Sequence, residues 1–120
     1  MIALDYGTHK TGIAYAVEGF AFAYKTVLTS ELLDFLWAYI RERSARSIIL
    51  GMPYNIDGTL SKHATRVLAF EKILRKSFPD INIILHDERL TTSEAKLAGV
   101  DDVDAESARL ILLDYLETTA

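Results

Sequence analysis

The sequence contains no cysteine and only two prolines among its 120 residues. The missing thiols exclude a cysteine nucleophile, a zinc-thiolate site and a disulfide framework. No apolar run approaches the ~20 residues that a membrane-spanning helix requires. The first residues also lack the basic and apolar regions of a secretory signal, so we expect a cytoplasmic protein without a membrane segment.

Positive charge is also scarce, because 13 Lys and Arg stand against 17 Asp and Glu, for a formal net charge of −4. This balance excludes a chain that coats nucleic acid through bulk electrostatics, so any site for a polyanion has to be local. Half of the residues are hydrophobic. That share is enough for residues 1–120 to bury the core of a single domain.

Three short strands are predicted at the start of the chain. Residues 1–4 form an apolar run that ends at Asp5, as in a buried strand followed by a turn. Residues 11–17 and 20–28 are rich in β-branched, aromatic and small side chains on either side of Glu18-Gly19, which predicts a hairpin. We therefore expect an antiparallel meander of three strands.

The remainder of the chain alternates between helical and strand patterns. The predicted elements are a helix from Thr29 to about Arg41, a strand over 47–50, a helix over 60–77, a strand over 81–85, a short helix from the capping box 91–94 to about Ala98, and a helix over 105–117. This alternation implies right-handed crossovers, which gather the carboxyl ends of parallel strands at one edge, where ligands bind. The prediction is an α/β fold with a mixed five-stranded sheet flanked by helices.

Three acidic residues fall at the ends that this edge should gather. Asp5 ends the first strand, Glu88 follows the last strand and Asp104 opens the last helix. Neighbouring strands lie only ~5 Å apart, within the span of a shared metal pair. Carboxylates in a chain without thiolates favour the hard cations Mg²⁺ or Mn²⁺ over zinc. Such ions serve phosphodiester cleavage, because they activate water and neutralise the charge of an in-line displacement.

Each of these acids also has a purely structural interpretation. Asp5 fits a turn-forming aspartate, and Glu88 fits a surface charge paired with Arg89. Asp104 fits a helix cap that accepts from the amide of Ser107. The structural interpretation weakens for the set, because all three residues fall at ends that are predicted to converge.

Neighbouring acids compete with two of the three positions. Asp87 stands beside Glu88, and strand alternation turns only one of that pair toward the site. Asp101 and Asp102 likewise compete with Asp104 as ligands. These alternatives stay open at the level of the sequence, although Asp104 is the acid that begins the apolar periodicity of the last helix.

Four motifs in this order resemble the YqgF family of the RNase H-like superfamily. They are DYGTHKTGIA, GMPYNIDGT, HDERLTTSEA and VDAESARLILLDYL, and together they span nearly the whole chain. The resemblance implies an RNase H-like fold and a metal-dependent nuclease that matures the 5′ end of pre-16S ribosomal RNA in ribosome biogenesis. It also implies an alternative activity, the resolution of four-way DNA (Holliday) junctions. The expected substrate is therefore structured RNA or branched DNA.

The resemblance assigns roles to individual residues. It implies that Asp5, Glu88 and Asp104 are catalytic and hold the metal, Mg²⁺ or Mn²⁺. The expected substrate-binding residues are Thr8, Lys10, Asn55, Arg66 and Arg89. By their chemistry, Thr8, Lys10 and Arg89 would contact phosphate, and the loop from Asn55 to Thr59 would shape the groove. Arg89 fits a salt bridge to Asp87 or Glu94 equally well.

The chain departs from the family pattern between the helix of the D-E-R motif and the last aspartate. That segment is only five residues long here, residues 99–103, and it carries the extra acids Asp101 and Asp102. An inactive module that binds nucleic acid or protein is therefore a further alternative. A junction resolvase is expected to be a homodimer, whereas an RNA-trimming nuclease can act as a monomer.

A D-x-G-T motif also opens the phosphate loop of sugar kinases and of the Hsp70 and actin proteins. Those proteins enclose their nucleotide between two related domains, and a chain of 120 residues has room for only one. The nuclease interpretation is therefore favoured over ATP binding.

Overall fold

A computed structural model describes residues 1–88, 99 and 101–119. The strands are β1 (Ile2–Asp5), β2 (Lys10–Val17), β3 (Phe20–Leu28), β4 (Ser47–Met52) and β5 (Asn82–Asp87). The described helices are α1 (Leu32–Arg43), which a short 3-10 helix (Thr29–Glu31) precedes, α2 (Lys62–Ser77) and α3 (Val103–Thr119). The predicted capping box 91–94, its short helix and Arg89 lie outside the described residues.

The five strands form one sheet in the order β3-β2-β1-β4-β5. The pairs β1-β2 and β2-β3 are antiparallel, and the pairs β1-β4 and β4-β5 are parallel. This arrangement confirms the predicted mixed sheet, with a meander of three strands and two further parallel strands. The carboxyl ends of β1, β4 and β5 share one edge. Because β4 separates β1 from β5, however, Asp5 and Glu88 do not belong to neighbouring strands.

Helices cover both faces of the sheet, and strand alternation decides which face each side chain meets. Leu4, Ile13 and Leu50 pack into a core with α1 and α2. Ala3 and Ile49 pack on the other face, against Ala108, Ile111 and Leu112 of α3. Residues two positions further along β1 and β4 therefore also face α3.

Two helices begin where a side chain caps them rather than where their apolar pattern starts. Helix α2 begins at Lys62 instead of 60, because the hydroxyl of Ser61 accepts a hydrogen bond from Ala64 N at 2.9 Å. Helix α3 begins at Val103, two residues earlier than predicted, because Asp102 Oδ1 accepts from Ala105 N at 3.1 Å. None of the described helices has the length and apolar character needed to cross a membrane.

Candidate active site

Asp5 lies at the carboxyl end of the central strand, between two glycines. It pairs with Gly12 of β2 in the antiparallel register. On the other side Leu4 pairs with Leu50, so Gly51 of β4 is the next residue in line with Asp5. Since Ala3 faces α3, Asp5 turns its side chain to the same face. The two glycines leave open space on that face at either side of the carboxylate.

The space above Gly12 is filled by the start of helix α3. A Cβ atom at this position would overlap the carbonyl group of Asp104 and would lie 2.8 Å from Ala105 N. The first turn of α3 therefore rests directly on β2, one strand away from Asp5. This contact, rather than capping, determines where Asp104 lies. The cap of α3 is Asp102, so the interpretation of Asp104 as the helix cap is wrong.

The space above Gly51 is filled by the side chain of Glu88. A Cβ atom there would lie 2.8 Å from Glu88 Oε2 and 2.6 Å from Ile111 Cδ1. The amide of Glu88 donates to the carbonyl of Met52 at 3.2 Å, which holds the chain beyond β5 against the end of β4. Glu88 thus extends over β4 on the α3 face, toward Asp5.

Strand alternation separates Glu88 from its neighbour Asp87. Ile83 and Leu85 of β5 pack in the core beneath α1 and α2, so Asp87 belongs to that face. His86 belongs to the α3 face, where its Nε2 lies 2.5 Å from Asp114 Oδ2. Glu88 is therefore the acid that shares a face with Asp5. His86 is thus a hydrogen-bonded histidine near the end of β5.

Burial, and then the charge of neighbouring acids, raises the pKa values of Asp5 and Glu88. Burial, with the nearby charge of Asp104, raises the pKa of Asp5 to about 6, while His63 acts in the opposite direction. Burial, with the charges of Asp5 and Asp87, raises the pKa of Glu88 to about 8. Asp5 ionises first, and its charge then opposes the ionisation of Glu88. A site that accumulates negative charge in this way binds a proton or a cation.

The raised pKa of Glu88 predicts how stability changes with pH when no divalent cation is present. Glu88 in the unfolded chain loses its proton near pH 4.5, whereas in the folded chain it keeps the proton until about pH 8. The folded state therefore binds more protons across this window, and its stability falls as the pH rises. We expect Glu88→Gln to be about 2 kcal/mol more stable than wild type near pH 8, because the glutamine carries no charge at this buried position.

Urea denaturation in the presence of a chelator, near pH 5 and near pH 8, measures this difference. Near pH 5 the folded wild type carries a neutral Glu88, so the two proteins should then differ much less. Asp80→Asn is the matched control, because Asp80 is exposed and lies at the opposite end of the sheet. A stability difference that does not change with pH would contradict the raised pKa of Glu88.

Asp104 faces a lysine. Its Oδ2 lies 3.4 Å from Lys10 Nζ at the start of β2. Within the described part of the chain, no three Asp, Glu or His side chains are arranged to hold a metal ion together. The donors nevertheless fit a hard divalent cation, because two partly buried carboxylates with raised pKa values converge beside a third. The predicted roles of Asp5, Glu88 and Asp104 stay predictions.

His63 also belongs to this site, although in the sequence it only stands among the basic residues of one helix, Lys62, Arg66, Lys72, Arg75 and Lys76. It is the second residue of α2, and its Nε2 lies 2.6 Å from the carbonyl oxygen of Tyr6, which follows Asp5. The electrostatic interaction with His63 lowers the pKa of Asp5. The capping residue Ser61 is the one signal in the sequence that places His63 at a helix start, and hence near the carboxyl edge of the sheet.

Thr29 fixes the turn that carries Thr8 through two hydrogen bonds. The hydroxyl of Thr29 donates to the carbonyl of Gly7 at 2.7 Å, and its amide donates to the carbonyl of His9 at 2.9 Å. Gly7 is required for space, because a Cβ atom there would overlap the carbonyl of Lys10. Thr8 is exposed on this fixed turn, beside the acidic edge, which is compatible with its predicted contact to phosphate.

The loop of Asn55 forms a compact turn. Asn55 Nδ2 donates to Thr59 Oγ1 at 3.0 Å, and the hydroxyl and amide of Thr59 donate to Asp57 Oδ1 at 2.7 and 2.9 Å. Gly58 adopts φ +89°, which an L side chain rarely tolerates. The side chain of Asn55 therefore stabilises the loop itself, and the loop stands between β4 and α2 at the acidic edge.

The structure describes one of the two arginines that were predicted to bind substrate. Arg66 is exposed on α2, one turn after His63, at the end of the helix that is nearest to Asp5. Arg89 lies outside the described residues. Their roles toward a substrate stay predictions.

Comparison with known proteins agrees with this geometry. The family model described as RuvX, Holliday junction resolvase, matches residues 1–118. A protein of Bacteroides fragilis named "Putative pre-16S rRNA nuclease" is 36% identical over 98% of this chain and 96% of its own length.

Two further relatives carry the same name. The protein of Bacteroides thetaiotaomicron is 33% identical over 98% of this chain and 96% of its own length. The protein of Pseudomonas syringae pv. tomato is 32% identical over 98% of this chain and 90% of its own length. The family match includes the positions of Asp5, Glu88 and Asp104. The chain therefore belongs to the RuvX (YqgF) family of Holliday junction resolvases, as its four motifs indicated, and has the RNase H-like fold of that family.

Proposed function

We propose that this chain is a metal-dependent nuclease that processes the 5′ end of pre-16S rRNA during ribosome biogenesis. The observation that carries the proposal is the convergence of Asp5 and Glu88 at the carboxyl edge of the sheet, where Gly12 and Gly51 leave room for the acids. The names of the relatives supply the RNA substrate. Maturation of rRNA would take place in the bacterial cytoplasm, and residues 1–120 would act as one nuclease domain.

The acids suit the binding of Mg²⁺ or Mn²⁺. Asp5 and Glu88 would be ligands on the central part of the edge, and Asp104 would join them from the first turn of α3. When bound, such cations supply an activated water and neutralise charge on the phosphate that is cleaved. The residues themselves provide a preorganised group of acids, because burial and the charges of neighbouring carboxylates already raise the pKa values of Asp5 and Glu88.

Positive groups around the acids would bind the RNA backbone. Lys10 now pairs with Asp104, and its side chain is 60% exposed, so it is able to turn toward a phosphate when Asp104 binds a cation. Thr8 offers a hydroxyl from the turn that Thr29 holds. Arg66 and Arg89 would add charge, and the Asn55 loop would border the groove. These contacts are local, as a chain of net charge −4 requires.

Resolution of four-way DNA junctions is the second candidate, and the name of the matching family favours it. The two activities share their metal chemistry, so the acidic residues alone do not separate them. Symmetry does distinguish them, because a two-fold junction calls for a homodimer whereas RNA trimming needs only one copy.

A parallel cleavage assay tests the proposal. Wild type is incubated with a 16S rRNA precursor that carries its 5′ leader and with a four-way DNA junction, each with Mg²⁺, with Mn²⁺ or with a chelator. We expect metal-dependent removal of leader nucleotides and little cleavage of the junction. Preferred cleavage of the junction would transfer the assignment to the second candidate. No cleavage of either substrate would leave a binding module.

Cation binding has a readout that does not depend on activity. A bound divalent cation replaces the proton on the acidic pair, so Mg²⁺ should raise the melting temperature near pH 8 and much less near pH 5. Glu88→Gln should lose most of this increase. An equal increase in wild type and Glu88→Gln would show that the cation binds elsewhere.

A further inference from the structure

A row of exposed apolar side chains lies on the β2-β3 hairpin, far from the acidic edge. We call Val17, Phe20, Phe22 and Tyr24 the aromatic strip. Their exposed fractions are 50%, 68%, 45% and 37%. Phe20 pairs with Val17 across the two strands, and Phe22 pairs with Tyr15, on which its ring stacks at 5.5 Å. The strip is thus a preformed row of side chains on one face of the sheet.

Helix α1 covers the strip only at its Tyr24 end. The ring of Tyr24 contacts Phe35 and Tyr39 of α1, with centroids 6.0 and 6.1 Å apart. Phe22 and Phe20 continue beyond this contact along β3 and become more exposed. Since β3 runs parallel to β1, its end at Leu28 lies toward the acidic edge. At ~3.3 Å per residue, Phe22 is about 20 Å from that end.

Cations flank the aromatic rings. Lys25 Nζ lies 5.4 Å from the ring centroid of Tyr24, and the guanidinium carbon of Arg43 lies 5.5 Å from the same centroid. Arg43 also lies 4.9 Å from the ring of Tyr39. Arg41 shares the last turn of α1 with Arg43, and Arg46 follows shortly after the helix. The acids in these segments are Glu42 in the same turn and Glu18 in the connection between β2 and β3. Positive charge thus lies beside the Tyr24 end of the strip, in a protein of net charge −4.

The shape of the strand disfavours a second strand as the occupant. The register between β2 and β3 shifts between Ile13, which pairs with Lys25, and Ala14, which pairs with Ala23. Tyr24 is therefore an extra, bulged residue. A bulge twists an edge strand, and a lysine within it opposes pairing with another chain. The bulge also places Tyr24 and Lys25 next to each other on the face that the rings occupy. The exposed surface is therefore adapted to a ligand on its face rather than along its edge.

We propose that the aromatic strip binds a single-stranded segment of RNA, with bases stacked on Phe20 and Phe22 and phosphates near Lys25 and Arg43. Flat aromatic rings bordered by cations are the features by which proteins hold single strands without reading their sequence. The choice of RNA rests on the proposed function. The strip lies on the face of the sheet that α1 covers, whereas Asp5 and Glu88 lie on the α3 face. An anchor there would select precursors whose unpaired segment extends past the edge of the sheet, away from the cleavage site.

Fluorescence anisotropy with a labelled oligouridylate tests this proposal without any cleavage. All variants are made in the Asp5→Asn background, so a loss of the proposed nuclease activity and a loss of binding are separate results. We expect Phe20→Ala and Phe22→Ala each to weaken binding about tenfold. Arg43→Ala should weaken binding and reduce its dependence on salt.

Two controls keep the test specific. Phe20→Leu preserves apolar area but removes the aromatic face, so it should bind RNA nearly as weakly as Phe20→Ala while it folds normally. Trp37→Ala removes an aromatic residue that is 54% exposed and packs on Phe78, away from the strip, and should bind like the parent. Equal affinity of Phe20→Leu and the parent would overturn base stacking. A dimer of the parent protein in sedimentation that Phe20→Ala dissociates would instead identify the strip as an interface between copies.

Discussion

Asp5→Asn should abolish cleavage of the rRNA precursor and leave the protein folded. The substitution keeps the size of the side chain but removes a negative charge from the centre of the acidic edge. Loss of residues that only orient metal ligands reduces activity 10- to 100-fold, so loss of a proposed ligand should reduce it by more than about 100-fold. The rate of leader removal at saturating Mg²⁺, with wild type and variant in parallel, measures this effect.

The same variant should be more stable than wild type when no divalent cation is present. The raised pKa of Asp5, about 6, shows that its charge is unfavourable in the folded protein above that pH. Removal of the charge should add about 1 to 2 kcal/mol to the free energy of unfolding near pH 8, as measured in urea with a chelator. Higher stability together with lost activity is typical of a functional residue.

Asp114→Asn is the matched control for Asp5→Asn. Asp114 is also an acid on the α3 face, but its Oδ2 contacts His86 Nε2 rather than the acidic pair. This variant should retain leader cleavage. Wild-type activity in Asp5→Asn would remove Asp5 from the mechanism, and an unfolded Asp5→Asn protein would show a structural role. Comparable losses in the two variants would mean that any charge change on this face disturbs the site.

The sequence was sufficient to predict the architecture, because the strands carry local signals. Apolar runs, β-branched residues and turn formers marked the five strands within a few residues. The position of Asp5 at the end of β1 followed from such local signals. The two helix starts that differed, at Lys62 and Val103, depend on the caps Ser61 and Asp102. A cap competes with the apolar periodicity in deciding where a helix begins.

The relations between the acids depend on pairings that are distant in the sequence. That β4 separates β1 from β5 depends on the strand order of the sheet. The choice of Glu88 over Asp87 depends on which face of β5 meets α3. The importance of Gly12 and Gly51 depends on the register of both with β1. Local sequence patterns do not specify strand order or register. The sequence therefore predicted which acids belong to the site, but not how they are arranged.

Gly12→Ala should destabilise the protein and also remove activity. Gly12 is not among the residues with positive φ, so the backbone itself would accept alanine. The obstacle is the added Cβ, which would overlap the carbonyl of Asp104 and approach Ala105 N to 2.8 Å. Backbone atoms in the first turn of a helix yield only if the helix moves. We expect a loss of about 3 kcal/mol in the free energy of unfolding, at the upper end for an overpacked site.

The loss of activity in Gly12→Ala has a geometric cause. A displacement of α3 by about 1 Å moves Asp104 away from Asp5, and a shift of that size reduces catalysis about 100-fold. Gly51→Ala is the informative comparison, because its Cβ would meet only side-chain atoms, Ile111 Cδ1 and Glu88 Oε2, which are able to move. We expect Gly51→Ala to retain most of its stability but to lose activity, because Glu88 is displaced.

Urea denaturation and leader cleavage, measured for both glycine variants, separate the effect on the fold from the effect on the site. Assays well below the melting temperature of Gly12→Ala ensure that the folded protein is compared. A Gly12→Ala variant with wild-type stability would show that α3 does not rest on β2 at this residue. Full activity in Gly51→Ala would show that Glu88 does not act from its position above β4. We expect both variants to lose activity and only Gly12→Ala to lose much stability. This result would support an arrangement in which the absence of a Cβ at Gly12 and Gly51 lets Asp104 and Glu88 approach Asp5 from either side.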